Sequence, residues 1–412
     1  ALAAARTRRA AVRALAGIAG LGLAVRLSGV LEAKRHRASP AATKRSKRSN
    51  EAARGRGAPA ANGRMLLGYY VGYERDLMPP DEIEWDALTH LAVGPVLPRA
   101  NGSLDLGFDL DDPSQGPDFA RDLAQRARAN GVVSLLMIGG EGAHDGFKKA
   151  TSGKRRKRFV ANLAATMNDL GFDGLDLDWE PLNASDQKPF KALVTALRSS
   201  LPGAVLTAPV EPTTLTFPDV PVVYAEVAPL LDQINIMTYG MEGPYPGWKS
   251  WHSSALDGAT EATPSSVAAT VGDFLNAGVP SGKLGVGIGF FGDCWTAPVS
   301  GPSQAIGDAT IAATDSEMSY ITIVSDYFTP TAAHVDPTAQ VPYLSFATPQ
   351  GAPQCTYITY EDATSIAAKG AWALARGLNG AIVWTINQGH DRSAPPGQRD
   401  ALLRAAHDAF GA

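Results

Sequence analysis

Short apolar runs alternate with longer amphipathic runs from residue 65 to the end of the chain. Several apolar runs, such as VVSLLMI from residue 132 and GAIVW from residue 380, are almost wholly apolar. Strands of this kind are buried on both faces, which is typical of a parallel sheet covered by helices. Eight runs are predicted to be strands, at residues 65–70, 88–96, 132–139, 174–179, 204–209, 233–239, 284–290 and 380–386.

The segments between these runs have the length and spacing of amphipathic helices. Stop signals such as SSLPG at 199–203 and Asn-Gly at 130–131 end two of them. Helices are predicted at residues 118–130, 154–170, 186–199, 263–277, 360–376 and 396–410. Eight strand–helix units over about 250 residues indicate an α/β fold of the (β/α)8 TIM-barrel type. An open, doubly wound sheet is the alternative.

One connection is too long for a barrel loop. Residues 292–358 separate the seventh predicted strand from the helix that precedes the eighth, and they contain β-like runs at 320–324 and 341–346. A structureless loop of this length is uncommon within a compact domain. We therefore expect a small α+β insertion between strand 7 and strand 8, which forms one wall of a cleft. The hydrolytic barrel itself is expected to span residues 65–412.

Residues 1–64 have a different composition from the rest of the chain. They carry 15 Lys and Arg and two acidic residues, with a twin arginine before a short apolar stretch at 14–25. This stretch is too short to span a bilayer, which needs about 20 residues. We interpret residues 1–64 as a targeting segment for export followed by a disordered basic linker, and a transit peptide is the alternative.

The remaining residues form an acidic body. The whole chain has a formal charge of −4, so residues 65–412 carry −17. An acidic surface repels nucleic acid and anionic membranes, whereas a neutral polysaccharide brings no such penalty. We therefore expect a polysaccharide partner, no nucleic acid, no stable membrane association, and a monomer.

Cysteine occurs twice, at Cys294 and Cys355. Export would favour a disulfide between them, because disulfides persist in oxidising compartments. The alternative is a pair of small, unlinked apolar side chains.

The most informative stretch is the predicted strand with its flanks, GFDGLDLDWEP at 171–181. Alternate residues of a strand face the same way, so Asp176, Asp178 and Glu180 form one row, with neighbours about 7 Å apart. Like charges at this distance should raise at least one carboxyl pKa, as a general acid requires. Glu180 ends the row at the C-terminal mouth of the barrel, where barrel active sites lie. A solvated strand face and a site for a hard metal ion are the alternatives.

The eight residues DGLDLDWE at 173–180 match the DGxDxDxE signature of glycoside hydrolase family 18, the chitinases and their relatives. The resemblance extends over residues 65–410, through GYY at 68–70, QINIMTY at 233–239 and AIVW at 381–384. The long insertion, with QVPYL at 340–344, resembles the small α+β domain of one subfamily.

The resemblance implies a retaining, substrate-assisted mechanism, an exception to the two-carboxylate scheme. Glu180 would protonate the glycosidic oxygen, and the 2-acetamido oxygen of the sugar would attack the anomeric carbon. Asp178 would orient the acetamide and Asp176 would tune Asp178. Tyr239 would donate a hydrogen bond to the acetamide oxygen, and Trp384 would form the floor of the pocket. No metal or other cofactor is implied.

Other residues receive supporting roles. Tyr69 and Met237 are expected to line the sugar pocket, while Asp173 and Gly174 are expected to be structural. Trp248 and Trp251, in a loop after the sixth strand, are candidates for sugar contacts because aromatic faces stack on sugar rings, and loop anchoring is their alternative.

Two positions depart from the family pattern. Met137 lies where the family often has serine on the third strand, and Gly240 lies where it often has Asp or Asn after the tyrosine. The first change removes a hydroxyl near the acids, and the second removes a polar group from the sugar subsite.

These features together predict a secreted, extracellular hydrolase of β-1,4-linked N-acetylglucosamine polymers. The alternatives are an endo-β-N-acetylglucosaminidase, a peptidoglycan hydrolase, a chitin-binding lectin without activity, and a metal-dependent barrel lyase. The presence of Glu180 argues against the lectin, because such proteins usually lack the glutamate proton donor.

Overall fold

The structure is a computed structural model that describes residues 63–411. The predicted targeting segment and linker at 1–64 lie outside the described residues, except for the last two positions. The strands of the described chain are β1 (Met65–Val71), β2 (His90–Pro98), β3 (Leu104–Asp105), β4 (Val133–Gly139), β5 (Gly174–Asp178), β6 (Val205–Val210), β7 (Gln233–Ile236), β8 (Leu284–Gly289), β9 (Asp293–Trp295), β10 (Ile311–Ala313), β11 (Ala333–Asp336), β12 (Val341–Gln350), β13 (Cys355–Thr359) and β14 (Gly380–Trp384).

Eight of these strands form a closed parallel barrel. Their order around the barrel is β1-β2-β4-β5-β6-β7-β8-β14, and the ring closes because β1 pairs with both β2 and β14. All eight predicted strands are present as barrel strands. The closure excludes the open, doubly wound sheet and confirms the (β/α)8 barrel.

Helices cover the outside of the barrel. The helices of the described chain are α1 (Gly116–Ala129), α2 (His144–Ala150), α3 (Arg155–Leu170), α4 (Gln187–Ser200), α5 (Val223–Val227), α6 (Val267–Asn276), α7 (Tyr320–Thr322), α8 (Ala363–Ala375) and α9 (Ala401–Phe410). Of these, α7 belongs to the inserted segment between β8 and α8. The six predicted helices correspond to α1, α3, α4, α6, α8 and α9. The short helices α2 and α5 were not predicted, because five to seven residues are too few to establish a helical period.

Local signals explain where the helices begin and end. Gly171 ends α3 with φ 86°, a left-handed conformation that glycine adopts without strain. Asp362 begins α8 in a capping box, in which its side chain accepts from the backbone of Ser365 and the Ser365 hydroxyl accepts in return. The first cap ends α3 shortly before β5, and the second fixes the start of α8.

The core has two layers. Leu175, Leu177 and Trp179 of the acidic strand face outward into the large cluster between barrel and helices. The barrel interior holds a smaller cluster that includes Leu67, Leu135 and other apolar side chains, with Tyr239 and Trp384 packed against its upper end. The alternation predicted for 174–180 is therefore confirmed.

The chain between β8 and α8 forms a second sheet. Its five strands are antiparallel in the order β10-β9-β13-β12-β11. Cys294 and Cys355 form a disulfide between β9 and β13, which also pair directly. The β-like run predicted at 320–324 is wrong: it begins as α7 and continues as a π-helical turn, Ile323–Tyr327. Ser319 caps this turn by accepting from Thr322 N at 3.2 Å, a local bond that outweighs the β-branched composition.

Within residues 63–411, the helices are too short or too polar to cross a bilayer.

Candidate active site

The acidic row lies at the C-terminal end of β5. Asp176 is fully buried, Asp178 is almost so, and Glu180 is half-buried just beyond the strand. Because the strand alternates, all three side chains are on the inner face, opposite Leu175 and Leu177. The row therefore leads from the barrel interior to its mouth.

Two hydroxyl groups hold Asp176. Tyr69 on β1 donates to Oδ2 at 2.8 Å, and Thr207 on β6 donates to Oδ1 at 2.5 Å. Burial raises the pKa of Asp176 to about 6, although the two hydrogen bonds oppose that rise. Asp176 can thus change its proton near neutrality while its position stays fixed.

Asp178 carries the more strongly perturbed carboxyl group. Burial raises its pKa well above the ordinary value, and the charge of Glu180 and a hydrogen bond with Glu180 raise it further. Among the described residues, its Oδ1 atom is buried without a hydrogen-bond partner. Burial and the neighbouring Glu180 therefore both favour the protonated form of Asp178 at the mouth of the barrel. The crowding of acids predicted from the sequence is present, and it raises the pKa of Asp178.

Two glycines let β4 approach Asp178 closely. Gly139 and Gly140 have φ 104° and 106°, in the region that favours glycine. A Cβ atom on Gly139 would lie 2.1 Å from the carbonyl oxygen of Asp178, and Gly140 N donates to that oxygen at 2.9 Å. This contact fixes the backbone beneath the reactive carboxyl group.

Aromatic side chains surround the end of the row. The rings of Tyr69 and Trp384 lie 5.3 Å apart, and Tyr239 packs edge-on against Phe291 at 5.7 Å. Burial and the charges of Glu180 and Asp178 raise the pKa of Tyr239 well above the ordinary value, so its phenol stays a hydrogen-bond donor. Trp384, Tyr239 and Met237 are half-buried against the upper end of the interior cluster.

The two structural candidates take part in strand contacts. Asp173 accepts from both the backbone N and the hydroxyl of Ser134 at 3.1 Å. A Cβ atom on Gly174 would lie 2.1 Å from the carbonyl oxygen of Val205, so the neighbouring strand approaches too closely for a side chain.

The departures from the family pattern have visible packing consequences. Met137 is buried in the interior cluster, in register with Asp176 on the adjacent strand. A Cβ atom on Gly94 would lie 2.7 Å from the side chain of Met137, so a glycine on β2 makes room for the thioether. Gly240 is exposed with φ 60°, and its N–H is held by the hydroxyl of Ser253 at 2.9 Å.

The structure does not bring Trp248 and Trp251 to the acidic row. Both indoles are buried in clusters separate from the one that contains Tyr239 and Trp384. Trp251 Nε1 donates to the carbonyl of Ser265 at 2.8 Å. Their burial favours loop anchoring over sugar contact. The sequence alone could not distinguish loop anchoring from sugar contact, because a loop rich in aromatic residues is compatible with both.

Several polar residues near the site were missed by sequence reasoning. Glu211 follows β6, contributes to the raised pKa of Asp178, and has its own pKa raised by burial. Its place after a barrel strand was a signal that could have identified it. Asp315 accepts from Trp384 Nε1 at 3.1 Å, and it could not have been identified because it comes from the inserted segment.

A metal centre finds no support in the part of the chain that the structure describes. No group of three or more His, Cys, Asp or Glu side chains there has the arrangement of a metal site.

Comparison with known proteins identifies the family. The model of glycosyl hydrolases family 18 matches residues 65–389, which include the acidic row and most of the barrel. The chain belongs to glycosyl hydrolases family 18, as the signature at 173–180 indicated. It is therefore a glycoside hydrolase.

The chain is similar to Chitinase 1 of Aphanocladium album, with 24% identity over 392 residues that cover 86% of each protein. Its fold is similar to that of the Ostrinia furnacalis Group IV chitinase, with a TM-score of 0.72, 21% identity, and 85% and 100% of the two chains covered. Human YKL-39, described as a pseudo-chitinase that retains chitooligosaccharide binding, has a TM-score of 0.72 at 20% identity, again with 85% and 100% covered. At such identities the solved structures show the fold alone.

Proposed function

We propose that the protein hydrolyses β-1,4-linked N-acetylglucosamine polymers, chitin or chitooligosaccharides, by a retaining, substrate-assisted mechanism. The observation that carries the proposal is the pair of carboxyl groups, Asp178 and Glu180, at the mouth of the barrel, where burial and the charge of Glu180 raise the pKa of Asp178. A carboxyl group that keeps a proton near neutrality is what general acid catalysis of glycosidic cleavage needs.

Glu180 is the general acid. It is half-buried and lies outermost in the row, so the glycosidic oxygen of a bound chain can approach it. With the proton of the pair on Glu180 and Asp178 charged, the acetamide oxygen of the substrate attacks the anomeric carbon and forms an oxazolinium ring. The bond between that carbon and the leaving oxygen breaks, and the leaving oxygen takes the proton from Glu180. The same carboxylate then takes a proton from the water that opens the oxazolinium intermediate.

Asp178 and Tyr239 position the nucleophile, which is the acetamide oxygen of the substrate. The buried Oδ1 atom of Asp178 can accept from the acetamide N–H, and the phenol of Tyr239 can donate to the acetamide oxygen. The negative charge of Asp178 then stabilises the positive charge that develops on the ring formed by the acetamide. Such preorganised groups supply a large share of rate enhancement in enclosed sites.

Trp384 forms the floor beneath the sugar. It is half-buried beside Tyr69, and the apolar faces of a pyranose ring can stack on an indole. Tyr69 and Thr207 keep Asp176 behind Asp178, where the carboxyl of Asp176 also raises the pKa of Asp178.

Hydrolysis of a fluorogenic chitobioside tests the proposal. Wild-type protein should release the fluorophore, and Glu180→Gln should lower kcat by at least about 100-fold, the lower end of general acid–base contributions. Glu261→Gln, an exposed position between β7 and α6, is the matched control and should retain activity.

Two other outcomes would contradict the proposal and indicate a different function. Wild-type turnover no higher than that of Glu180→Gln, together with binding of chitooligosaccharides, would identify a sugar-binding protein without activity. Turnover of N-glycans or peptidoglycan in preference to chitooligosaccharides would move the substrate to another N-acetylglucosamine-containing glycan.

We also propose that the protein acts outside the cell. The disulfide between Cys294 and Cys355 supports this, because such bonds are rare in reducing compartments. Recovery of the native protein only from cell lysate, with both thiols reduced, would contradict it.

A further inference from the structure

A second buried carboxyl group lies beside the barrel mouth, outside the acidic row. Glu74 ends the turn after β1 and is 3% exposed. Its Oε1 atom accepts from the Ser316 hydroxyl at 2.6 Å and from Gln388 Nε2 at 2.7 Å, while its Oε2 atom accepts from the Thr385 hydroxyl at 2.6 Å. Glu74 thus joins the inserted segment to the segment that follows β14.

The hydrogen bonds continue from Gln388 to the pocket floor. The same Nε2 atom of Gln388 donates to Asp315 Oδ1 at 2.7 Å, and Trp384 Nε1 donates to that oxygen at 3.1 Å. Gln388 has two N–H groups on this atom, so it can serve both carboxylates at once. An unbroken chain of hydrogen bonds therefore runs from Glu74 to the indole of Trp384.

The backbone around this chain is also fixed. Asn387 Nδ2 donates to the carbonyl oxygen of Glu74, and Asn387 Oδ1 accepts from Val71 N, both at 3.3 Å. Asp315 has φ 52°, a left-handed conformation that is uncommon for residues other than glycine. Such a conformation persists only where its surroundings hold it, and it often accompanies a functional contact.

Glu74 and Asp315 are both acidic, so their negative charges repel each other when both are ionised. Burial raises the pKa of Glu74 to about 7, and the carboxylate of Asp315 contributes to the rise. Asp315 is the titratable group that faces Glu74 from the inserted segment, whereas Ser316, Thr385 and Gln388 are neutral. Ionisation of Glu74 therefore places a second negative charge near Asp315, whose Oδ1 atom accepts the hydrogen bond from Trp384.

We propose that Glu74 is a positioning residue that holds the Trp384 indole in place through Gln388 and Asp315. This inference rests on the proposed function, because it gives Trp384 the role of the pocket floor. Stacking on that floor occurs in the bound ground state as well as in the transition state. Loss of Glu74 should therefore affect KM more than kcat.

The experiment measures binding and turnover of a chitooligosaccharide at pH 6 and pH 8. In wild-type protein, KM should be about threefold higher at pH 8, since ionised Glu74 repels Asp315. Glu74→Gln keeps the shape of the side chain without the charge, so the ratio of KM at pH 8 to KM at pH 6 should be about threefold smaller than in wild-type protein. Glu261→Gln, which is exposed, should behave as wild type.

Glu74→Ala tests the positional role directly. It leaves the buried donors of Gln388, Thr385 and Ser316 unpaired, so KM should rise about tenfold with a smaller change in kcat. If this variant does not fold, the pH dependence of KM in Glu74→Gln still tests the proposal. An unchanged pH dependence of KM in Glu74→Gln would overturn the proposal.

The result can be separated from a failure of the proposed function. If wild-type protein does not turn over the oligosaccharide, calorimetry should measure the Kd of the oligosaccharide at pH 6 and pH 8 for two variants. The first is Glu180→Gln, and the second carries both Glu180→Gln and Glu74→Gln. A Kd that depends on pH only when Glu74 is present supports the role of Glu74. A Kd that varies equally in both contradicts it.

Discussion

The reactive residues at the end of β5 depend on hydroxyl groups that come from elsewhere in the barrel. Asp176 receives one hydrogen bond from Thr207 on the adjacent strand and another from Tyr69 on β1, two strands further round than β4. Both bonds favour the charged form of Asp176, while burial favours the neutral form. The pKa of Asp176 therefore depends on hydroxyl groups that lie outside the signature motif.

Tyr69→Phe should shift that balance. Loss of the hydroxyl removes a bond that lowers the pKa of Asp176, so this pKa should rise above its value of about 6. The acidic limb of the pH profile of kcat/KM should move to higher pH, and kcat/KM should fall about tenfold, equal to about 1.4 kcal/mol. Steady-state kinetics on a fluorogenic chitobioside between pH 4 and pH 8 would measure both effects.

Tyr70→Phe is the matched control. Tyr70 is the next residue on β1 and faces outward, where its hydroxyl donates to the carbonyl of Met78 at 2.6 Å. Its loss should cost about 1 kcal/mol of stability without moving the pH profile. An equal shift of the profile in both variants would show that Tyr69 does not act through Asp176.

At the scale of elements, the barrel was predictable because each strand carries its own signal. The runs at 132–139 and 380–386 are almost wholly apolar, which indicates burial on both faces. The alternation in 174–180 separates an acidic face from an apolar one. The catalytic candidates on β5 followed from that alternation and the signature.

Contacts between distant segments were not predictable. Glu74, Asp315 and Gln388 come from three loops, and each looks like an ordinary surface residue in the sequence. The run at 320–324 is predicted to be a strand because it contains several β-branched residues. The signal for the turn that forms there is a single residue, the serine cap. The roles of Trp248 and Trp251 depended on the packing of the inserted sheet, which periodicity does not reveal.

The inserted sheet offers a prediction at this scale. Its disulfide closes a segment of 61 residues between β9 and β13, and loop-closure entropy gives it a stabilising effect of about 4 kcal/mol. The double variant Cys294→Ala and Cys355→Ala should lower the free energy of unfolding by up to this amount. Denaturant titration would measure the change. A variant as stable as the oxidised wild type would contradict the prediction.

At the scale of the whole molecule, buried acids make stability depend on pH. Glu74 has a pKa of about 7 in the folded protein, against an ordinary value of 4.5. The folded state therefore binds more protons than the unfolded state between these values, so stability falls as pH rises through this window. Above pH 7 the full loss is present, and below pH 4.5 it is absent.

Glu74→Gln should remove this contribution. The difference in free energy of unfolding between the variant and the wild type should shift in favour of the variant by about 3 kcal/mol from pH 4.5 to pH 8. Because other titrating groups are common to both proteins, their contributions cancel in the difference. A difference that does not vary with pH would show that Glu74 titrates normally in the folded protein.

The measurement that bears most directly on the proposed chemistry is the anomeric configuration of the first product. Proton NMR should follow chitopentaose with wild-type protein and with Glu180→Gln under the same conditions. We predict that wild-type protein first releases reducing ends in the β configuration, with the α form appearing only by mutarotation, and that Glu180→Gln releases almost none. An initial α product, or equal release by the variant, would contradict substrate-assisted catalysis with Glu180 as its acid.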